Sequence, residues 1–125
     1  LGLVELPGVG ALLPSDLSGG MRKRVALARA ISLSPAAILY DAPPPGLDPI
    51  TAEAINTLIR SLQSALNVTS VVVTHDLKSA FSVGDRVAFL HDGQMSFVGT
   101  LHEANHTSDP RLREFLRVGS TGAIA

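Results

Sequence analysis

Leu17-Ser18-Gly19-Gly20-Met21-Arg22-Lys23-Arg24 places a serine and two glycines at the mouth of a strongly helical segment. A helix start leaves four backbone N–H groups without intrahelical acceptors and carries roughly half a positive charge. Glycines at that point let a bulky anion come close to the backbone. Arg22, Lys23 and Arg24 follow in the first turns, the wrong sign for the helix dipole. A polyanion such as a nucleotide phosphate at the helix mouth relieves that conflict. The competing reading is a serine N-cap followed by a solvated basic face.

What lies downstream favours the first reading. Ala36-Ala37-Ile38-Leu39-Tyr40-Asp41 is an apolar run ending in a carboxylate. Gly46-Leu47-Asp48-Pro49 and a long amphipathic helix come next, then Ser70-Val71-Val72-Val73-Thr74 closing on His75-Asp76. This order resembles the nucleotide-binding subunits of ABC transporters: signature loop, Walker B strand, D-loop and switch histidine. The resemblance covers nearly the whole chain, and the ordered set is far more specific than any one motif. Met21 stands where most members have glutamine, and the tail carries Asp109-Pro110-Arg111-Leu112-Arg113-Glu114-Phe115-Leu116. Both look like the branch serving MCE-type lipid importers, the maintenance-of-lipid-asymmetry phospholipid systems of Gram-negative envelopes.

The resemblance implies an α/β fold of the P-loop NTPase-like ABC ATPase kind, and a partial one. It comprises the signature helix, the C-terminal half of the parallel sheet and a terminal β-hairpin, with the P-loop strand missing. Residues 1–125 then form the C-terminal part of one nucleotide-binding domain. The signature helix occupies about 15–35, the stretch from Walker B to the hairpin 36–100, and C-terminal helices and tail 101–125.

Composition agrees with that class. The 125 residues are enough for one domain and one core. Apolar residues make up 46% and aromatics 4%, the aliphatic balance of an α/β chain. A net charge of −1 supplies no global field for nucleic acid or an anionic membrane. Absence of cysteine excludes a disulfide framework and fits a reducing cytosol. No apolar run approaches the roughly 20 residues needed to span a bilayer. No signal peptide is visible, because Glu5, Pro7 and glycines interrupt Leu1–Leu13. A soluble protein is expected, linked to a membrane only through a partner, and the opening at Leu1 reads as a fragment.

Leu1–Pro14 reads as a loop or short helical turn. Its Gly8-Val9-Gly10 lacks the third glycine and preceding strand of a dinucleotide loop. Ser18 caps a helix to about Ser34, with Val25, Ala26, Ala28, Arg29 and Ile31 setting its faces and Pro35 stopping it. Ala37–Tyr40 and Ser70–Thr74 read as strands buried on both faces, apolar without alternation. Asp48 caps the helix between them, Pro49 sits in its first turn, and Ile55, Leu58, Ile59, Leu62 and Leu66 form its apolar stripe. A short helix over Leu77–Val83 precedes Arg86–Leu90, Asp92-Gly93 and Met95–Val98, a hairpin signal. One or two short helices and a flexible Gly119–Ala125 complete the chain.

His102-Glu103-Ala104-Asn105-His106 matches the zinc-protease pattern HExxH. That chemistry needs a stable helix, a third ligand and a deep cleft. The segment is short, and Thr100 with Glu103 makes a helix capping box instead. Asn67-Val68-Thr69 and Asn105-His106-Thr107 match glycosylation acceptors that a cytosolic chain never presents to that machinery.

The resemblance also implies roles. Two nucleotides are sandwiched in a head-to-tail dimer with a second ABC ATPase subunit. Ser18, Gly19, Gly20 and Met21 reach the γ-phosphate of ATP held by the opposite subunit. Asp41 holds Mg²⁺ through its water shell, Asp48 works across the dimer interface, and His75 contacts the γ-phosphate. The partners are that second subunit and an integral-membrane permease, with no nucleic acid. The place is the cytoplasm, at the inner face of the plasma (inner) membrane.

Two departures bear on activity. GxxxxGK[ST] does not occur in these residues, so no P-loop lysine or hydroxyl is present for the β-phosphate and Mg²⁺. ATP and Mg²⁺ then need a P-loop from elsewhere. Ala42 occupies the position of the family's general-base glutamate. Loss of a positioned base lowers rate by about 10²–10⁴, and Asp76 or His75 would have to supply that role. Pro44 and Pro45 replace small polar residues before the D-loop and stiffen it. Whether the chain is an active ATPase is left open by these changes; the rival readings are a silent subunit that completes a partner's site and a decayed fragment. With the central strand missing, the isolated chain is expected to be marginal or aggregation-prone. A cooperative thermal transition from soluble 125-residue protein would refute that.

Overall fold

The computed structural model describes residues 1–42 and 47–124, with side chains up to residue 119. The stiffening expected of Pro44 and Pro45, and Gly46 itself, lie outside those residues. Two compact units divide the chain at Val73, Leu1–Val73 and Thr74–Ala125.

In the first unit, short 3₁₀ turns at Gly2–Val4 and Pro14–Asp16 lead into α1, Gly19–Ile31. The helix ends before the expected Ser34. Ser32 turns its hydroxyl back to the Arg29 carbonyl at 2.8 Å, and Ser34 adopts φ +51°. Leu27 is the buried residue of α1, whereas Ala26 and Arg29, both expected to set its faces, are exposed.

Strand β1 (Ala37–Asp41) pairs in parallel with β2 (Thr69–Val73), joined through α2 (Pro49–Leu66). Asn67 ends α2 in the left-handed region, at φ +49°. Ile55, Leu58, Ile59 and Leu62 are buried as the periodicity requires, and Asn56 joins them; Leu66 is exposed. The strands depart from expectation. They alternate, with Ile38 and Tyr40 buried while Leu39, Val71 and Val73 on the other face are 79%, 50% and 62% exposed. Continuous apolar runs imply cover on both faces. Here a two-stranded sheet is covered on one face only.

The second unit holds α3 (Leu77–Val83), the antiparallel hairpin β3 (Arg86–His91) with β4 (Gln94–Thr100), α4 (Leu101–Asn105) and α5 (Pro110–Ile124). Asp92 and Gly93, at φ +48° and +74°, make the tight turn that the Asp-Gly pair predicts. The register slips between Phe89 and Leu90: Phe89 faces Phe97 and Leu90 faces Met95. This leaves Ser96 as the extra residue of a bulge, and its hydroxyl donates to Asp109, the residue preceding α5. The tail expected to be flexible is helical to Ile124, and Ala125 lies outside the described residues. Gly119 is a packing glycine in that helix, since a Cβ there would run into the Leu77 side chain.

Carboxylates cap three helices. Asp48 accepts from the Ile50 and Thr51 N–H groups, Asp76 from those of Lys78 and Ser79, and Asp109 from those of Arg111 and Leu112. Thr100 and Glu103 form the expected capping box, with the Thr100 N–H donating to Glu103 at 2.7 Å. The Thr51, Ser79 and Ser96 hydroxyls hold Asp48, Asp76 and Asp109 below the ordinary carboxylate range, and the Thr100 N–H does so for Glu103. A lowered folded pKa contributes stability that is complete above the unfolded value, near 4, and is lost as pH falls through the folded value. Unfolding midpoints should therefore fall progressively from about pH 4 downward. In Asp76→Asn the acid-dependent part should shrink, as followed by far-UV circular dichroism in urea at stepped pH.

Candidate functional site

Four residues at the start of α1 define the first part of the site. The Ser18 hydroxyl oxygen accepts from the Met21 N–H at 3.2 Å, and the Ser18 carbonyl takes the Arg22 N–H at 2.9 Å. Ser18 is thus the N-cap of the alternative reading, while a hydroxyl that accepts one bond keeps its own proton to donate. Gly19 and Gly20 are the first helical residues, so their N–H groups precede the first donor with an intrahelical acceptor. Ser18 and Gly19 are exposed. That mouth suits a phosphate oxygen: open amides, a hydroxyl and the positive end of a 13-residue helix.

The two glycines are there for different reasons. A Cβ on Gly19 would meet only Leu47 Cδ2, at 3.9 Å. On Gly20 it would come within 2.9 Å of Thr51 Cγ2. Thr51 cannot readily yield, because its hydroxyl donates to Asp48 Oδ2 at 2.5 Å. Gly20 therefore lets the first turns of α1 and α2 approach, which brings the signature segment beside Asp48. Thr51 is the residue that sequence reasoning missed. Its signal was the three-residue spacing from the Asp48 cap.

Two of the three basic residues find acceptors within the chain. Arg22 donates to the Leu17 carbonyl at 3.0 Å. Arg24 donates to the Val4 carbonyl at 3.2 Å and pairs with Glu5 at 2.7 Å. Both guanidiniums fasten the chain segments preceding α1. The Arg24 ion pair involves an exposed Glu5, so its own contribution is small.

Asp41 is the last residue of β1, exposed and in register with Val73. A free-standing carboxylate at a strand end fits a cation held through its water shell. Ala42 extends the ladder one step further, giving its N–H to the Val73 carbonyl at 2.7 Å. It does so at φ +43°, a conformation uncommon for any residue with a Cβ. Its methyl group offers neither proton acceptor nor hydrogen bond to a water.

His75 belongs to the second unit, exposed between β2 and α3. Asp76 is an unsuitable substitute base. Its Oδ1 accepts from the Lys78 N–H and its Oδ2 from Ser79, whose hydroxyl donates at 2.6 Å. That Ser79 hydroxyl is the main reason for its lowered pKa, with the His75 charge a lesser one. A carboxylate so stabilised is a weak proton acceptor.

Comparison with known proteins finds relatives along nearly the whole chain. The chain is 43% identical over 121 residues to the intermembrane phospholipid transport system ATP-binding protein MlaF of Haemophilus influenzae. That alignment covers 97% of this chain and 46% of the relative. Among solved structures, the dimeric ATP-binding cassette MJ0796 in a post-hydrolysis state with ADP and Pi is 40% identical, with TM-score 0.66. It covers 80% of this chain and 43% of that one. The ADP conformation of the cassette MJ1267 is 27% identical with TM-score 0.81, over 93% of this chain and 46% of that one. No protein-family profile matches the sequence.

Over nearly its whole length the chain is similar to part of the ATP-binding subunits of ABC transporters. Within that family its likeness is to the branch of intermembrane phospholipid transport. It spans less than half the length of the relatives it matches.

The glycines yield a paired test. Gly20→Ala should destabilise the protein by about 1–3 kcal/mol, the usual range for overpacking. Gly19→Ala should be neutral or stabilising by up to about 1 kcal/mol, because Ala is the better helix former. Urea unfolding of the two variants side by side measures the difference.

Proposed function

We propose that the chain is part of the ATP-binding subunit of an ABC transporter that couples ATP binding and hydrolysis to phospholipid transport. In that reading the Ser18 hydroxyl and the Gly19 and Gly20 amides grip the terminal phosphate of ATP held on a second, head-to-tail subunit. Asp41 holds the water shell of Mg²⁺, and His75 contacts the γ-phosphate. Asp48 works at the subunit interface. When bound, Mg²⁺ supplies charge neutralisation of the phosphates. The subunit sits in the cytoplasm against an integral-membrane permease. Among the described residues no helix is long and apolar enough to cross a membrane.

The observation that carries this reading is the open helix mouth at Ser18–Gly19, set beside the Asp48 cap by the Gly20–Thr51 approach. Support comes from the name of the phospholipid-transport relative and from the dimeric, ADP-bound state of the solved cassette.

Ala42 favours a second reading: this chain's own site is silent, and its signature face completes the site of a P-loop-bearing partner. The two are separated by mixing the chain with a cassette that has an intact P-loop and an inactivated signature serine. ATP turnover that appears only in the mixture and vanishes with Ser18→Arg supports completion in trans. Turnover by a homodimer carrying this sequence within a full-length subunit, with Ala42 unchanged, supports the active enzyme. No effect of Ser18→Arg in either assay overturns both. In a full-length subunit, Ala42→Glu should raise turnover by about 10²–10⁴ if the missing base is the limiting defect.

A further inference from the structure

His102 lies in the first turn of α4 and His106 is its C-cap, and the site above uses neither. Their rings lie 4.4 Å apart, centroid to centroid, tilted by 33°. The His106 Nδ1 lies 2.8 Å from the His102 carbonyl oxygen. A carbonyl only accepts, so Nδ1 carries the proton and the lone pair is left on Nε2. Metal-ligating histidines are prepared in this way: one ring N–H is tied to a carbonyl, which fixes tautomer and orientation. Both rings are exposed and line an open concavity of about 530 Å³ shared with Ser96, Glu103, Thr107 and Asp109.

Glu103 does not complete a hydrolytic centre. Its carboxylate accepts the Thr100 N–H in the capping box, so the protease reading of HExxH fails in the structure as it does in the sequence. Among the described residues, no set of three or more His, Cys, Asp or Glu side chains converges to hold a metal. What remains is a pair of imidazoles one helical turn apart, on one face of α4.

We propose that His102 and His106 form a two-imidazole site for a borderline divalent transition metal of the Zn²⁺, Ni²⁺ and Cu²⁺ class. Imidazole nitrogen suits these ions, whereas Mg²⁺ and Ca²⁺ prefer oxygen. Water fills the remaining positions. Bound there, one ion would link His102, in α4, to His106, its C-cap.

Zinc alone is the probe, titrated calorimetrically into the full chain in a buffer that does not chelate it. The expected result is one Zn²⁺ per chain, weakened at least about tenfold by His102→Ala and by His106→Ala alike, the range for losing one element of a metal site. His91→Ala, which removes an imidazole 3.3 Å from the Asp92 carboxylate, should leave the affinity unchanged. Nitrogen-15 NMR of the imidazoles supplies a second readout: zinc should shift the His106 Nε2 resonance, with Nδ1 staying protonated. The proposal is overturned if no zinc heat is seen, if either single variant binds as the parent does, or if His91→Ala abolishes binding. Both histidines are exposed, so their replacement by alanine should leave the far-UV dichroism spectrum unaltered.

Discussion

The close approach of α1 and α2 at Gly20 is the constraint on which the rest of the first unit depends. A single added methyl would come within 2.9 Å of Thr51, whose hydroxyl is fixed by Asp48. Two helix N-termini, each capped by its own polar side chain, are thereby placed next to one another. Their positive ends add in the same neighbourhood. The open helix mouth at Ser18 and the acidic cap at Asp48 are then neighbours.

Much of this was legible in residues. Asp48-Pro49 announces a capped helix with proline in its first turn, and the stripe Ile55–Leu62 follows the helical period. Asp92-Gly93 announces its turn. The family likeness rests on the order of short motifs, each of which is weak alone. Other features were hidden because they depend on neighbours distant in sequence. Leu39, Val71 and Val73 look like the interior of a sheet, yet only the tertiary arrangement decides whether a second layer covers them. Gly119 reads as flexibility, and only the position of Leu77 reveals it as a contact. Arg22 and Arg24 read as charge available to a ligand, while the chain segment before them supplies their acceptors.

Ala42 is the point where fold and chemistry part. The backbone there keeps a demanding left-handed geometry and its ladder hydrogen bond. The side chain that a general base requires is absent. Strained backbone often marks positions where function once or still demanded a particular geometry. In this chain that geometry stands beside Asp41 on a residue whose side chain is a methyl group.

The slipped register of the β3–β4 hairpin has a consequence of its own. The extra residue in β4 sends Ser96 to the carboxylate of Asp109, so the last helix is moored to a miscount between two strands. An ordinary hairpin tolerates gain or loss of a residue near its tip by re-threading. Here such an indel would re-phase β4, withdraw the serine and set α5 adrift, making sequence length in this hairpin as tightly governed as sequence identity.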